Sequence, residues 1–265
     1  MRGIAPLAVL LCAAGGWPPT KSPDAVDFSG FDVVIMGEVH DNPAHHVNQA
    51  EWVARLAPTS LVFEMLTPDL AQIAERLDPG DGGLGQALQW QQRGWPDFTM
   101  YAPIFRAAPE ALIFGGDVAR ADIALAFSDG AARALGDSAP LFGLDVPLPR
   151  PEQEIRESMM AVSHCGALPP EALPGMVEAQ RLRDAALAQA VVGALLIAGP
   201  PVAVITGNGH GRTDWGLPVA LRAAVPDVAI LSIGQLESVP MDAQPYDVVT
   251  ISTAPTRGDP CAAFR

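Results

Sequence analysis

Six short apolar runs, several of them rich in β-branched residues, limit what this chain can fold into. They fall at residues 31–36, 61–64, 111–117, 202–206, 229–233 and 246–251. The apolar residues in each are continuous instead of alternating with polar ones. That is the pattern of strands covered on both faces, as in parallel sheets. Between the runs, apolar residues return every three or four positions, which predicts helices over 44–56, 68–77, 84–90, 101–108, 119–135, 152–162, 170–198 and 219–224. In the first of these, Val47, Ala50, Val53 and Ala54 share one face, the expected inward one. Thr67 precedes Pro68 as a helix cap. Strands alternating with helices define an α/β domain with a largely parallel central sheet flanked by helices. The helical stretch 152–198 interrupts this alternation and reads as an insertion or lid. The tail after Thr253 is rich in Pro and Gly and reads as loosely held.

The polar residues are not scattered. In open α/β sheets, ligands sit beyond the carboxyl ends of the strands, and this chain repeatedly puts its chemistry there. Glu38 and His40 follow the first strand, Glu64 ends the second, Asp117 ends the third, and His210 and Arg212 follow the fourth. Of the five histidines, three lie in the stretch His40, His45, His46. His45 and His46 begin a helix and, as neighbours, point about 100° apart, so at most one of them faces the strand ends. His210 stands between Gly209 and Gly211, where the backbone can come close to a ligand. Glu38, His40, Glu64 and His210 suit two chemistries. They are a candidate divalent-metal set, or a catalytic set in which Glu38 or His40 activates water while His210 and Arg212 stabilise negative charge. The chain has no nucleophile elbow, no His-Glu-x-x-His helix and no paired Cys-x-x-Cys. Each residue also has a structural alternative: a core histidine bonded to a carbonyl, or a glutamate capping a helix.

A formal charge of −14 argues against a nucleic-acid partner, because phosphate binding needs a basic face. At the start, Arg2 precedes an apolar run through Ala14 and then small residues. Residues 1–16 read as a signal peptide or, through Cys12, a lipoprotein signal, although Leu11 is a poor residue before a lipidated cysteine. Residues 17–30 read as a linker and 31–265 as one domain. With Cys12 set aside, Cys165 and Cys261 remain, either bridged in an oxidising compartment or as two unrelated thiols.

Tyr101 lies near Trp90, Trp95 and Phe98. This is either a packed aromatic cluster or the wall of a flat ligand with the phenol oxygen as an iron ligand. Met159, Met160 and Met176 on the helical stretch suit core contacts or a large planar ligand. The runs Gly37-Glu38-Val39-His40-Asp41-Asn42-Pro43-Ala44-His45-His46, Phe63-Glu64-Met65, Gly94-Trp95-Pro96, Tyr101-Ala102-Pro103-Ile104, Gln180-Arg181-Leu182-Arg183-Asp184, Gly207-Asn208-Gly209-His210 and Trp215-Gly216-Leu217-Pro218 resemble the ChaN family of haem-binding bacterial lipoproteins. ChaN shares a superfamily with the Tiki proteases, TraB proteins and erythromycin esterases. The resemblance implies haem as cofactor, an exported or outer-membrane location, a role in iron uptake, an outer-membrane haem receptor as partner, and two haems in a homodimer. His40, His46, Tyr101, Met176, His210 and Arg212 are the candidate haem contacts, with tyrosine and histidine ligation fitting Tyr101 and one motif histidine. The wider superfamily implies the alternative, a metal-dependent or Glu/His-based hydrolase on Glu38, His40, Glu64 and His210.

Overall fold

The computed structural model describes residues 20–259 and 261–262. The segment read as an export signal, with Cys12, lies outside the described residues. Six strands form one sheet: β1 (Val33–Glu38), β2 (Ser60–Phe63), β3 (Leu112–Gly115), β4 (Val202–Gly207), β5 (Ile230–Leu236) and β6 (Val248–Ile251). Their order is β3-β2-β4-β1-β5-β6, and each neighbouring pair runs parallel. The chain moves out to the β3 edge, returns with β4 between β2 and β1, and then proceeds to the β6 edge. The carboxyl ends of β1, β2 and β4 therefore lie side by side, although they are far apart in sequence.

The helices are α1 (Pro43–Leu56), α2 (Pro68–Ala74), α3 (Leu84–Ala87), α4 (Phe98–Ala107), α5 (Arg120–Asp129), α6 (Ala131–Leu135), α7 (Arg150–Ser163), α8 (Leu173–Ala198), α9 (Asn208–Gly211) and α10 (Leu217–Ala224). Alternate residues of each strand feed two cores. Val34 and Met36 join Trp52, Phe63, Trp90, Tyr101, Ile104 and Phe105 on one face of the sheet. Val33 and Ile35 join Leu182, Ala185, Leu187, Val191, Leu217 and Leu221 on the other. At about 1.5–3 kcal/mol for each large aliphatic side chain fully buried, these two layers hold the sandwich together. Of the helical middle, α8 is a core layer: Leu182, Leu187, Ala188 and Val191 are buried against the sheet. α7 packs on α8 and keeps Ile155, Met159 and Val162 exposed.

Two expectations change. The inward face of α1 is not the Val47 face. Val47 is 56% exposed, while His45, His46, Gln49, Trp52 and Val53 are buried. The helix turns a largely polar stripe inward because that stripe hydrogen-bonds the end of β1. The tail is also held: Arg257 pairs with Asp41 and Glu237, and Cys261 is bonded to Cys165, with Cα atoms 5.7 Å apart. Among the described residues, no helix is long and apolar enough to cross a membrane.

Candidate functional site

The strand ends deliver their side chains to one place because two glycines let the elements close up. A Cβ on Gly37 would collide with the Asn208 side chain and lie 2.7 Å from the Ile233 carbonyl. A Cβ on Gly207 would lie 2.9 Å from His40 Nε2. A side chain at Gly37 would force β1 away from its neighbours at the rim, and one at Gly207 would displace the His40 imidazole.

Glu38 is 2% exposed and fully engaged. Its Oε1 accepts from Tyr101 Oη–H at 2.5 Å and from His40 Nδ1–H at 2.7 Å. Its Oε2 accepts from Gln49 Nε2–H at 2.7 Å. With Nδ1 held by this carboxylate, the neutral His40 ring would carry its lone pair on Nε2, 3.8 Å from Glu64 Oε1. Burial alone would lower the His40 pKa, but the Glu38 hydrogen bond and the Glu64 and Glu38 charges outweigh it, and the pKa is raised. The side chain is 34% exposed, and its ring meets the edge of Trp95, with centroids 5.2 Å apart.

Glu64 Oε2 accepts from Thr206 Oγ1–H and the Gly207 amide, both at 2.7 Å. Its Oε1 lies 3.4 Å from His210 Nε2. Burial pushes the Glu64 pKa up, yet the His210 charge and hydrogen bond reverse this and hold it well below the usual carboxylate range. His210 is clamped from the other side by Asp184 on α8, which accepts from Nδ1–H at 2.6 Å. Burial alone would neutralise the imidazole, but the two carboxylates raise its pKa to about 10. It is a buried cation between two acids. Asp184 Oδ2 is buried without a partner among the described residues.

His45 and His46 support the rim from behind. His46 Nε2–H donates to the His40 carbonyl at 2.8 Å, and its ring packs on Tyr101. His45 Nδ1 accepts from the Val39 amide at 2.9 Å, and burial drops its pKa to about 4, which keeps it neutral.

The structure thus brings Glu38, His40, Glu64 and His210 together and places other expected residues elsewhere. Tyr101 does not line a groove. It is fully buried, and burial beside Glu38 pushes its pKa far upward, so it is a protonated donor to Glu38 and not a phenolate at a surface. His46 is likewise interior. Arg212 does not reach Glu64, because Asp214 holds its guanidinium at 2.6 Å and the Trp215 ring lies 3.8 Å beneath it. Met176 is half-buried on α8, one turn before Gln180. The divalent-ion expectation finds no support, since among the described residues no three acids, imidazoles or thiols are arranged to hold a metal. Sequence reasoning missed Gln49 and Asp184. The available signals were polar residues at helical spacing from His46 in α1, and Asp184 closing the run Gln180–Asp184.

The fold and rim define an all-parallel α/β protein with an acid–imidazole network where β1, β2 and β4 end. A family described as haem-binding uptake, Tiki superfamily, ChaN, matches residues 25–221, and this chain belongs to it. Among solved structures, ChaN of Campylobacter jejuni, described as binding haem cofacially, superimposes with a TM-score of 0.64. The match is 19% identical and covers 82% of this chain and 86% of that one, a likeness of fold. A succinoglycan biosynthesis protein aligns with a TM-score of 0.43 at 12% identity, over 83% of this chain and 72% of that one, too distant to carry an argument. No curated protein matches the chain.

Proposed function

We propose that this chain binds haem at the β1–β4 rim, with His40 as the iron ligand, and serves haem or iron uptake at the cell envelope. The observation that carries the reading is the His40 imidazole: partly exposed, its Nδ1 fixed on the buried Glu38, its Nε2 without a hydrogen-bond partner among the described residues and so open to a metal ion when the ring is neutral. A histidine oriented by a carboxylate on its far nitrogen is a good metal-ion ligand. The residues present fit the group. Trp95 continues from His40 into a cleft of about 730 Å³ where Trp95, Val118, Ile123 and Phe127 stand beside arginines, within the roughly 300–1,000 Å³ of small-molecule sites. Bound haem would supply an iron centre. The chain would supply the ligand, its orientation and a partly dry wall. Membership of a haem-binding family supports the same reading.

The envelope location draws support from the Cys165–Cys261 bond, which belongs to oxidising compartments. Passage of haem to an outer-membrane receptor, and pairing of two copies around their haems, extend the proposal. Adding haemin to the purified protein should shift the Soret band at micromolar concentration. An unchanged free-haemin spectrum contradicts the proposal.

A second reading rests on the convergence of His40 Nε2 and His210 Nε2 on Glu64 Oε1, at 3.8 and 3.4 Å. His40 Nε2, on the open side of this cluster, is placed to take a proton from water while the ionised Glu64 orients it, which supports a hydrolase. Turnover of ester or peptide substrates that disappears in Glu64→Gln would favour it. Inactivity of the wild type across both classes removes it.

A further inference from the structure

The turn that carries His40 is gripped by the far end of the chain. The two residues after His40, Asp41 and Asn42, both bind the C-terminal tail. Arg257 donates from Nε and Nη2 to the two Asp41 carboxylate oxygens at 2.6 and 2.5 Å. The same guanidinium donates to both oxygens of Glu237, just past β5, at 2.6 Å. Asn42 caps α1 through its side-chain oxygen. Its Nδ2 donates to Glu237 at 2.8 Å and to the Thr253 carbonyl at 3.1 Å. Beyond Arg257, Cys261 is bonded to Cys165, just past the end of α7. Residues 252–261 therefore form a strap. It leaves the sheet where the Ser252 amide donates to the Leu236 carbonyl, crosses the start of α1 beside His40, and is tied to α7. The middle of the strap is weakly held on its own. The Arg257 and Asp41 side chains are 29% and 47% exposed, and ion pairs open to water stabilise little by themselves. The covalent tie keeps Arg257 at high effective concentration beside its partners. Cys165 has a φ of 57°, at the position after a helix where glycine is usual, so local backbone preference does not explain a cysteine there. Both bonded cysteines are half-buried, within reach of a reductant in solution.

We propose that Arg257 is a positioning residue for the His40 turn and that the Cys165–Cys261 bond switches its hold. With the bond intact, the strap grips Asp41 and Asn42, and His40 keeps its place on Glu38. A small dithiol opens the strap by exchange. One reagent thiolate attacks a cysteine sulfur, and the S–S bond breaks to give a mixed disulfide. The second reagent thiol then attacks that mixed bond. Both cysteines are left as thiols and the reagent becomes a cyclic disulfide, a balanced two-electron transfer. The freed tail gives up Asp41 and Asn42 to water, and the turn gains freedom. His210 lies outside this control, because its partners Glu64 and Asp184 come from the β2 end and α8. The consequence for a ligand rests on the haem reading: the oxidised chain holds haemin more tightly than the reduced one. The positioning itself needs no haem.

The test follows the imidazole signals by NMR on the isotope-labelled chain without haemin, oxidised and after dithiothreitol. Arg257→Gln, Arg257→Lys and a Cys165→Ser/Cys261→Ser double variant are measured alongside, with His40→Ala and His210→Gln to identify the two signals. Reduction should shift the His40 signal, speed amide exchange at residues 39–42 and 253–259 by roughly tenfold, and leave the His210 signal in place. The double variant should match the reduced wild type and ignore dithiothreitol. Arg257→Gln should show the His40 shift with the bond intact, and Arg257→Lys, which keeps the charge, should show less of it. Haemin should bind the reduced chain roughly 3- to 10-fold more weakly, the scale of losing one or two exposed ion pairs. An unaltered far-ultraviolet spectrum shows that the fold persists; should loss of the bond unfold the chain, the Arg257→Gln arm still decides, because its bond is intact. A His40 signal that ignores both reduction and Arg257→Gln, an equal shift at His210, or measurable but equal haemin affinity in the two states overturns the proposal. If the His40 signal responds to reduction while haemin gives no Soret shift in either state, the haem reading fails and the strap stands. If haemin shifts the Soret band while reduction moves nothing at His40, the strap fails and the haem reading stands.

Discussion

The two strand-end histidines share a local grammar, an apolar strand followed by glycine and then His, yet they meet opposite fates. His40 has one carboxylate partner in hydrogen-bond range and is 34% exposed. His210 lies between two carboxylates, and its side chain is 8% exposed. The difference comes from what packs above each. α8 covers His210 and brings Asp184 onto it, whereas only the edge of Trp95 reaches His40. An imidazole with both nitrogens occupied is a fixed charge that organises the rim. An imidazole with one nitrogen held and one side open is equipped to bind. Haem binding in this account belongs to the first strand end and structural order to the fourth.

Removing His210 should break the comparison most severely. His210→Ala leaves Glu64 and Asp184 facing each other across a void, two buried carboxylates without their shared cation. Destabilisation of about 3–5 kcal/mol is expected, measured as a drop in the urea midpoint. A midpoint close to wild type would show that the cation is not what binds α8 to the β4 end.

Next in size is Gly207→Ala. Its methyl would meet His40 Nε2 at 2.9 Å, so the imidazole must swing outward or the strand must shift. A loss of about 1–3 kcal/mol is expected, together with weaker haemin binding. Unchanged haemin affinity would mean that His40 tolerates displacement and is not held for a ligand.

A subtler effect is alkaline loss of stability. The His210 pKa is about 10 in the fold against an ordinary 6.5. A raised pKa contributes stability that is complete below the unfolded value and lost as pH climbs through the folded one. The urea midpoint should therefore decline between about pH 6.5 and 10, and His210→Gln should flatten that decline. On the acid side, the lowered pKa of Glu64 gives stability that is present above its ordinary 4.5 and lost as pH falls further. Identical alkaline profiles for wild type and variant would sink the assignment of a buried cation.

Much of this was legible in the chain because strand ends are legible. Continuous apolar runs mark buried parallel strands, and the residue after each run is committed to the rim by geometry alone, which places Glu38, Glu64 and the turn carrying His210. What depended on tertiary packing was not legible. Asp184 sits in the middle of α8, where nothing local distinguishes it from a solvated helix acid. The inward face of α1 was misjudged because hydrophobic periodicity assumes that buried means apolar, and here Gln49 and His46 are buried to hold the end of β1. The family resemblance points Tyr101 and Arg212 at a ligand, but their partners, Glu38 and Asp214, take up their polar ends first. Arg93, Arg120 and Arg183 come from three elements and show as a cluster only once α5 and α8 are folded beside the aromatic turn.

The central claim is the division of labour between the two histidines, and the absorption spectrum of the haemin complex tests it most directly. Titrations of wild type, His40→Ala and His210→Gln would be compared at neutral pH, each variant first checked for a folded far-ultraviolet signature. His40→Ala should abolish or move the Soret shift, and His210→Gln should leave it at the same wavelength even as the protein loses stability. A His40→Ala complex with the wild-type spectrum, or a His210→Gln complex whose band moves instead, would contradict it.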